Sequence, residues 1–440
     1  MINQNIIRKR LESVTLENIA EQAKFSLRND GKIKPLHFVL SFFLSIQGTS
    51  HTITSWASQL SILIRNTISY NAMKYAQNEN RVNFANKLLQ KVISQQLDDK
   101  AIPKIKTRLL EKFNHVFLED STCFKLPIYL YRLFPGSKNK YGKTAIAKIQ
   151  LRYELKSRSY HSFTLQRYKD NDQKFSTNIV QKLLPDDLVI RDLGYHVLSV
   201  FQQIIDAKAF FISRLRFGVN IYHPQTEKKI DLRKELKKAQ RRGVTVLEFQ
   251  ALVGKKTKVN SRIIAIKTPA HVTRKRRKIA RTNRRGTNRS KAYFEFLGWT
   301  LFITNVEKTT LSAKEIFQVY GYRWRIEIIF KCWKSHFQME QLFKTQAKLN
   351  MHQIKIAVYL FLVWLTLFFV KMYNFFLFKI YTLKQKVLSL LKFAKFIKEH
   401  FLALIDNPDD KYWLEHLAYY CTYKKRNQQP NYMQQVFIVI

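Results

Sequence analysis

The segment from Ser312 to Phe337, SAKEIFQVYGYRWRIEIIFKCWKSHF, restricts the fold of this chain more than any other stretch. It contains no proline and a single glycine, Gly321. Ser312 and Glu315 have the spacing of a capping box, in which each side chain satisfies a backbone N–H group at the start of a helix. The sequence therefore predicts one long helix that begins at Ser312.

Four polar residues predict a charged stripe along this helix. Tyr320, Arg323, Glu327 and Lys334 are spaced so that, at about 100° per residue, they fall within an arc of roughly 60°. A carboxylate flanked by an arginine, a lysine and a phenol suits a phosphate held beside a metal ion. The other side of the helix is apolar and can pack on a core; it comprises Ile326, Ile328, Ile329, Cys332, Trp333 and Phe337.

The charge of the chain points to a polyanionic partner. Its 440 residues include 77 Lys and Arg against 31 Asp and Glu, a net charge of +46, which favours nucleic acid as the partner. Three scattered cysteines without a CxxC pair indicate neither a disulfide framework nor a structural zinc site. The N-terminus lacks an apolar stretch of signal-peptide length, so we expect a reducing, cytoplasmic location.

One apolar run, from Ile356 to Val370, must be distinguished from a membrane span. Its helix would extend about 22 Å, less than the roughly 30 Å of a bilayer's hydrocarbon core, and Lys355, Lys371 and Lys379 limit any extension. We interpret the run as a buried core helix of a C-terminal helical region, residues 346–440, and expect no membrane partner.

Residues 1–110 predict an N-terminal helical domain, because apolar residues recur at three- and four-residue spacing. Two of its segments, SWASQLSILIRN and SYNAMKYAQNEN, have the form of a helix-turn-helix whose second helix enters a major groove. We expect this domain to bind DNA.

Residues 111–217 change to short β-type runs. HVFLED, TAIAKIQLRYELKS and SFTLQRYKD predict three strands, of which the second alternates like a half-buried strand. A helix near 178–184, the strand DLVIRD, a helix near 196–205 and the strand AFFISRLRF follow. This is the order of an RNase H-like α/β core, a mixed sheet flanked by helices, in which acids on the first and fourth strands meet an acid on a later helix.

Asp120 and Asp192 end the first and fourth predicted strands and are the candidate acids. Glu119 competes with Asp120, since alternation puts their side chains on opposite faces of the sheet; the Asp-Ser-Thr context favours Asp120. Asp186 and Asp187 are interpreted as loop acids. A single aspartate at a strand end more often caps a turn or a helix.

Residues 218–304 are too many for an ordinary loop and contain the β-type runs VTVLEFQALVG, SRIIAIKTP and YFEFLGWTLFITN. We expect an inserted β-rich subdomain here, followed by the second part of the core at 305–345. The insertion also carries the densest basic cluster, interpreted as a flexible loop on DNA phosphates rather than a solvated loop or a localisation signal. The cluster comprises Arg274, Lys275, Arg276, Arg277, Lys278, Arg281, Arg284, Arg285, Arg289 and Lys291.

The spacing Tyr-x2-Arg-x3-Glu-x6-Lys, filled by Tyr320, Arg323, Glu327 and Lys334, resembles the signature of the insertion-sequence-4 family of DDE transposases. The contexts LEDSTCFKLP and LVIRDLGYH are similar to the family's two aspartate motifs. The resemblance implies cut-and-paste transposition, with hydrolysis at the ends of a DNA element, a hairpin intermediate and transfer of the 3′-hydroxyls to target DNA.

The three acids Asp120, Asp192 and Glu327 would repel one another at contact distance unless a cation lay between them. Carboxylate oxygens favour Mg²⁺, with Mn²⁺ as a substitute, and two ions about 4 Å apart stabilise the attacking and leaving oxygens of phosphoryl transfer. We expect these acids to be catalytic and to bind the metal. The side chains expected at the DNA phosphates are Tyr320, Arg323, Lys334 and Arg214.

Trp299 lies in a predicted strand, 28 residues before Glu327 (327 − 299), where its default role is in the core. Enzymes that this chain resembles place a tryptophan of the insertion beside the glutamate helix, where it holds a base extruded as the hairpin closes. Trp299, with Trp324 next to Arg323, fits that arrangement, so base binding is the alternative interpretation.

Double-stranded DNA, as terminal inverted repeats and as target, is the expected partner, and a homodimer is expected in the synaptic complex. We expect a bacterial, nucleoid-associated protein. Two other functions stay open at this point. One is a metal-dependent nuclease on the same fold. The other is a decayed, inactive copy of a transposase that only binds DNA, which the apolar end VFIVI suggests.

Overall fold

The structure is a computed structural model, and it forms two compact units. The first unit comprises Met1–Thr107, Ser121–Lys169 and Arg325–Ile440, and the second comprises Arg108–Asp120 and Asp170–Trp324. The residues that the structure describes are 7, 9–12, 14–26, 32–47, 52–98, 107–140, 142–170, 172, 180, 182–282, 289–343 and 349–424.

Helices and strands alternate in the middle of the chain, and helices alone occupy its described ends. The helices are α1 Leu16–Gln22, α2 Pro35–Gln47, α3 Ile53–Ile64, α4 Tyr70–Ala76, α5 Glu79–Asp98, α6 Leu198–Asp206, α7 Leu232–Arg241, α8 Ala270–Thr282, α9 Lys291–Phe296, α10 Ala313–Gly321, α11 Trp324–Lys331, α12 Met351–Trp364, α13 Lys371–Lys384, α14 Leu390–Asp406 and α15 Lys411–Tyr420. The strands are β1 Val116–Leu126, β2 Pro135–Asn139, β3 Gly142–Glu154, β4 Ser159–Arg167, β5 Leu188–Arg191, β6 Phe210–Arg214, β7 Ile221–Tyr222, β8 Val246–Val253, β9 Val259–Lys267 and β10 Trp299–Thr304.

The N-terminal part of the first unit is helical, as predicted. Thr52 and Ser69 cap α3 and α4 by accepting hydrogen bonds from the backbone N–H groups of Ser55 and Ala72. The predicted helix pair is therefore present, and its entry into a DNA groove stays a prediction. The helices pack in the same unit as the C-terminal helices, since Gln96 of α5 donates to the carbonyl of Thr366.

In the first unit, β3 lies beside β1 and pairs antiparallel with both β2 and β4. The expectation that β3 is half-buried is wrong, because every residue from 147 to 154 is buried, on both faces of the strand. Helices cover this part of the sheet: Gln96 of α5 accepts a hydrogen bond from the backbone of Tyr160 on β4. The polar face of β3 therefore lies inside the unit rather than in water.

The apolar run from Ile356 to Val370 is buried in the first unit. A π-helical turn over Leu365–Val370 joins α12 to α13, so Met351–Lys384 is one helical stretch that is long and apolar enough to cross a membrane. Within the structure, 89% of its apolar window is buried, which is the environment predicted for a core helix. Residues 425–440, including VFIVI, lie outside the described residues.

The sheet of the second unit begins with three parallel strands. The start of β1 pairs with β5, and β5 pairs with β6. Strand β10 is antiparallel to β6, and β9, β8 and β7 follow in antiparallel order. One face of this sheet carries the core, where Phe201 of α6 stacks on Phe211 with ring centroids 4.3 Å apart.

The order β4-β3-β1 in the first unit and β1-β5-β6 in the second is the strand order of an RNase H-like core. The predicted fold class, a mixed sheet flanked by helices, is confirmed. The helix predicted near 196–205 is α6, whereas most of the helix predicted near 178–184 lies outside the described residues.

The insertion is less β-rich than predicted, since it contains the helices α7, α8 and α9 besides its strands. The run YFEFLGWTLFITN is not one strand, because Ser290 caps the short helix α9 and the strand begins only at Trp299. The first part of the basic cluster, up to Arg281, lies on helix α8 rather than in a flexible loop. Residues 283–288 of the cluster lie outside the described residues.

Candidate active site

The segment that begins at Ser312 is helical but interrupted. The capping box is present: Glu315 donates its backbone N–H to the Ser312 hydroxyl and accepts the N–H of Ser312 at 2.8 Å. The prediction of one continuous helix is wrong, because α10 ends at Gly321 and the N–H groups of Tyr322 and Arg323 bond to carbonyls three residues earlier. A π-helical turn over Cys332–His336 follows α11, so the constant 100° per residue that predicted a single stripe does not hold.

Three polar residues lie in one row at the carboxyl ends of the parallel strands in the second unit. Register pairs Glu119 with Arg191 and Arg191 with Ser213. The next residues in the chain are Asp120, Asp192 and Arg214, respectively. The prediction that the first strand ends at Asp120 is wrong, because β1 continues to Leu126 after its pairing with β5 has ended. Since side chains alternate between the faces of a sheet, these three point to the same face.

Arg323 lies between the two aspartates of this row. Its Nη1 is 3.5 Å from the Asp120 carboxylate and its Nε is 3.9 Å from that of Asp192. The Tyr320 hydroxyl donates a hydrogen bond of 3.2 Å to the same Asp192 oxygen. Within this unit, Arg323 of the sequence signature thus lies near both predicted aspartates, and Tyr320 contacts Asp192.

An aromatic ring positions the phenol and the neighbouring cation. Phe302 of β10 lies opposite Arg214 in the antiparallel register, and its ring contacts the ring of Tyr320 edge-on at 5.0 Å. The Arg214 guanidinium lies 5.7 Å from the Phe302 centroid. Sequence reasoning missed Phe302, because only strand register places it in the row of the acids.

The electrostatics of the cluster keep Tyr320 protonated. Burial raises the pKa of Tyr320 far above its ordinary value, and the negative charge of Asp192 raises it further. Burial lowers the pKa of Arg214, and the charge of Arg323 acts in the same direction, while Tyr320 and Asp192 oppose the shift. Tyr320 is therefore a hydrogen-bond donor over the whole physiological pH range.

Glu119, the alternative to Asp120 as the first acid, forms a buried ion pair with Arg191. Its carboxylate accepts a hydrogen bond of 2.6 Å from Arg191 Nε, and both side chains are at most 2% exposed. The pair lies on the sheet face opposite to Asp120, which favours Asp120 as the acid of the site. Asp187 is a structural acid of its loop, since it accepts the backbone N–H groups of His115 and Leu184 at 3.1 and 2.8 Å.

The remaining residues of the signature belong to the first unit. Glu327 is half-buried on α11, and Lys334 is exposed on the π-helical turn. Trp333 of the same turn is fully buried, and its indole N–H donates to the Tyr160 hydroxyl at 3.3 Å. This contact anchors the turn that carries Lys334 to strand β4.

The two tryptophans considered for base binding have different environments. Trp299 is 2% exposed and belongs to the apolar cluster on the core face of the sheet, as in the default interpretation. Its base-binding role stays a prediction that this conformation does not favour. Trp324 is 58% exposed, and the Arg323 guanidinium lies 5.7 Å from its ring centroid.

Three arginines of the basic cluster, Arg274, Arg276 and Arg277, are predicted to bind the DNA backbone, and their environments differ. Arg274 is exposed on α8. Arg276 is half-buried and donates to the hydroxyls of Thr268 and Thr300 at 3.0 and 3.1 Å. Arg277 donates to the carbonyl of Phe294 at 3.1 Å. Arg276 and Arg277 therefore hold α8 in place, and Arg274 is the exposed one of the three.

The acids of the row have the chemistry of a divalent cation site. Within the described residues, no group of three or more His, Cys, Asp or Glu side chains is close enough to hold a metal ion. Asp120 and Asp192 nevertheless present carboxylate oxygens at neighbouring strand ends around one guanidinium. Hard oxygen donors of this type fit Mg²⁺ or Mn²⁺ rather than a softer metal.

Comparisons with known proteins identify the family of the chain. The family described as transposase DDE domain matches residues 111–360. The transposase for insertion sequence element IS231F of Bacillus thuringiensis subsp. israelensis is 28% identical over 409 residues, which are 88% of this chain and 83% of that protein. The transposase for insertion sequence element IS1151 of Clostridium perfringens is 25% identical over 349 residues, 75% of this chain and 73% of that protein.

One solved structure also aligns with the chain. It is the piggyBac transposase synaptic complex with hairpin DNA, with a TM-score of 0.43 and 11% identity over 98% of this chain and 86% of that chain. A score of this size does not establish a common fold.

Proposed function

The chain belongs to the DDE transposase family and is a DNA-cleaving and strand-transferring enzyme of an insertion sequence, and from this premise we propose that Asp120, Asp192 and Glu327 are its catalytic acids. The observation that carries the proposal is the row of Asp120 and Asp192, in which Arg323 lies near both carboxylates and Tyr320 donates a hydrogen bond to Asp192. We include Glu327 among the catalytic acids because of its position in the sequence signature, four residues after Arg323.

Enzymes of this family generally depend on divalent metal ions. We propose Mg²⁺, with Mn²⁺ as a substitute, held by Asp120, Asp192 and Glu327. When bound, the metal would neutralise the acids and polarise the phosphate that is cleaved. The buried pair of Glu119 and Arg191 contributes no ligand, because its charges neutralise each other on the opposite face.

The cations and the phenol of the cluster bind and orient the DNA backbone. Arg323 offers its planar fork to a phosphate, and Tyr320, kept protonated by burial, donates a hydrogen bond. Arg214 adds a positive charge in the same row, and Lys334 supplies a point charge from the first unit. The exposed ring of Trp324 supports a stacking role for an extruded base better than the buried ring of Trp299.

The partner of this chemistry is DNA. We propose that terminal inverted repeats and target DNA are both substrates, that the helix pair α3–α4 contributes to end binding, and that two copies of the chain form the synaptic complex. A location in the bacterial cytoplasm at the nucleoid follows from these substrates. The family assignment favours transposition over the nuclease alternative, and cleavage by the unaltered protein in the test below would decide against the decayed copy.

The test compares cleavage with binding on a DNA fragment that carries the element's terminal repeat. Asp120→Asn, Asp192→Asn and Glu327→Gln should each abolish cleavage in Mg²⁺ and in Mn²⁺, while gel-shift affinity for the end changes only a few-fold because basic surfaces carry the affinity. Binding of Mn²⁺, followed by its electron paramagnetic resonance signal, should weaken in the same variants.

Asp186→Asn is the matched control. Asp186 is exposed in the loop before β5 and has a φ of 63°, a conformation that asparagine adopts readily. This variant should cleave at the unaltered rate. Cleavage retained by Asp120→Asn, Asp192→Asn or Glu327→Gln would remove that residue from the catalytic set.

A further inference from the structure

A large basic cleft lies in the second unit, in the insertion. It has a volume of about 1450 Å³, larger than the roughly 300–1,000 Å³ of a typical small-molecule pocket. Its lining comes from α7, α8, α9 and the segment after β6, and we call it the insertion cleft. Nine of the lining residues are Lys or Arg and two are Asp or Glu.

Both acids of the insertion cleft are already engaged. Asp231 caps α7 by accepting the N–H groups of Arg233 and Lys234 at 3.0 and 3.2 Å. Glu295 accepts two hydrogen bonds from Arg233, at 2.7 and 3.1 Å, and Lys237 lies 3.5 Å away. The hydrogen bond from Arg233 lowers the pKa of Glu295 to about 2, so this carboxylate stays ionised and neutralised.

Other cations of the cleft have no such partner. Arg216, Lys229 and Arg241 are exposed, and none of them forms an ion pair within the described part of the chain. Arg274 of the basic cluster lines the same cleft from α8. The insertion cleft is therefore a concave surface with uncompensated positive charge, which attracts a polyanion.

An aromatic ring is exposed beside these cations. Phe217 is 40% exposed, although Tyr293 and Phe296 contact its ring edge-on at 5.1 and 5.3 Å. The two neighbours fix the orientation of the ring and leave part of it open to the cleft. Proteins that bind unpaired nucleic-acid strands combine cations that contact the phosphates with aromatic rings on which the bases stack.

The insertion cleft is separate from the row of acids. Trp299 lines the cleft and lies on the core face of β10, whereas Phe302, three residues later, contacts Tyr320 on the opposite face. Alternation along β10 therefore puts the two surfaces on different sides of one strand.

We propose that the insertion cleft binds an unpaired DNA strand, with Arg216, Lys229 and Arg241 on its phosphates and Phe217 stacked on a base. The Phe217 ring can stack on a base only if a face of that base is accessible. In an intact duplex the base faces are covered by neighbouring bases, so the cleft favours an unpaired strand. The proposal rests on the proposed function in one respect only, the choice of DNA as the polyanion.

The test measures the fluorescence anisotropy of labelled oligothymidylate and of a duplex of equal length, with the full chain in EDTA. Phe217→Leu keeps an apolar side chain against Tyr293 and Phe296 but removes the aromatic face. It should weaken single-strand binding about fivefold or more and leave duplex binding within twofold. Lys229→Gln/Arg241→Gln should lower the salt slope of single-strand binding by about 1.4.

Lys255→Gln/Lys256→Gln is the matched control, because both lysines are exposed between β8 and β9 and do not line the cleft. It should leave single-strand binding unchanged. Unaltered single-strand affinity in both cleft variants, or an equal loss for duplex and single strand, would overturn the proposal. EDTA removes divalent metal ions, so this measurement reports binding and does not depend on cleavage. A negative result here would therefore contradict the cleft proposal without bearing on the catalytic acids.

Discussion

Glu119 and Arg191 form a buried ion pair between two parallel strands, one residue before Asp120 and Asp192, the two aspartates of the proposed active site. Their nitrogen–oxygen distance is 2.6 Å and neither side chain is more than 2% exposed. They are register partners, so the pair links β1 and β5 at the position that precedes Asp120 and Asp192. A shift of either strand by two residues would separate the two charges inside the core, which favours the observed register.

Removing one partner of this pair should destabilise the second unit strongly. We expect Glu119→Leu to lower the free energy of unfolding by about 3–5 kcal/mol, because Arg191 would remain buried without its counter-charge. Glu119→Leu/Arg191→Met should recover most of that loss. Urea denaturation of both variants checks this, and a single variant within about 1 kcal/mol of the unaltered protein would contradict it.

Two arginines of α8, two residues apart, should separate stability from DNA binding. Arg276→Ala removes hydrogen bonds to Thr268 and Thr300 and should cost about 1.5–3 kcal/mol of stability. Arg274→Ala, at an exposed position, should change stability by less than about 0.5 kcal/mol and lower the salt slope of duplex binding by about 0.9. Thermal melts measure the stability of both variants, and titrations with duplex DNA at several salt concentrations measure the salt slope. Equal melting temperatures for the two variants would argue against the anchoring role of Arg276.

The two tryptophans should also have opposite phenotypes. Trp299→Ala should lose about 3–5 kcal/mol of stability, since the ring is buried in the core of the second unit. Trp324→Ala should fold normally, nick the element end and form less hairpin, because its exposed ring lies beside Arg323. Denaturing gels of the cleavage products measure hairpin yield. A normal yield from Trp324→Ala would exclude Trp324 as the stacking residue.

His196 should make stability depend on pH in the acid range. Burial lowers the pKa of His196 from 6.5 to about 4, and its Nε2 has no hydrogen-bond partner within the described residues. Between these two pH values the unfolded chain binds a proton that the folded chain does not, so stability falls as the pH falls through this window.

The loss attributable to this group should reach about 3 kcal/mol at pH 4. His196→Gln removes the titrating group and should flatten the curve of unfolding free energy against pH between 6.5 and 4. The comparison of the two curves isolates His196 from the other titrating groups. Parallel curves for the variant and the unaltered protein would show that the folded-state pKa of His196 is not lowered.

Local patterns in the sequence predicted many of the helices and strands and indicated the candidate acids. The capping box of Ser312 and Glu315 is readable because it involves residues three apart. Strands β1 and β5 follow from β-type runs, although β1 extends beyond Asp120 to Leu126, and the resemblance to transposases follows from fixed spacing. Net charge indicated a polyanionic partner without any knowledge of the fold.

Tertiary structure alone decided which side chains meet. Register between strands distant in sequence brought Asp120, Asp192 and Arg214 into one row and assigned Glu119 to Arg191. Packing buried Trp299, which a strand pattern by itself leaves on either face. The insertion cleft is lined by residues of both α7 and α8, although residues 242–269 separate these helices in the sequence. Such contacts depend on pairing and burial between remote segments, and no local period in the sequence encodes them.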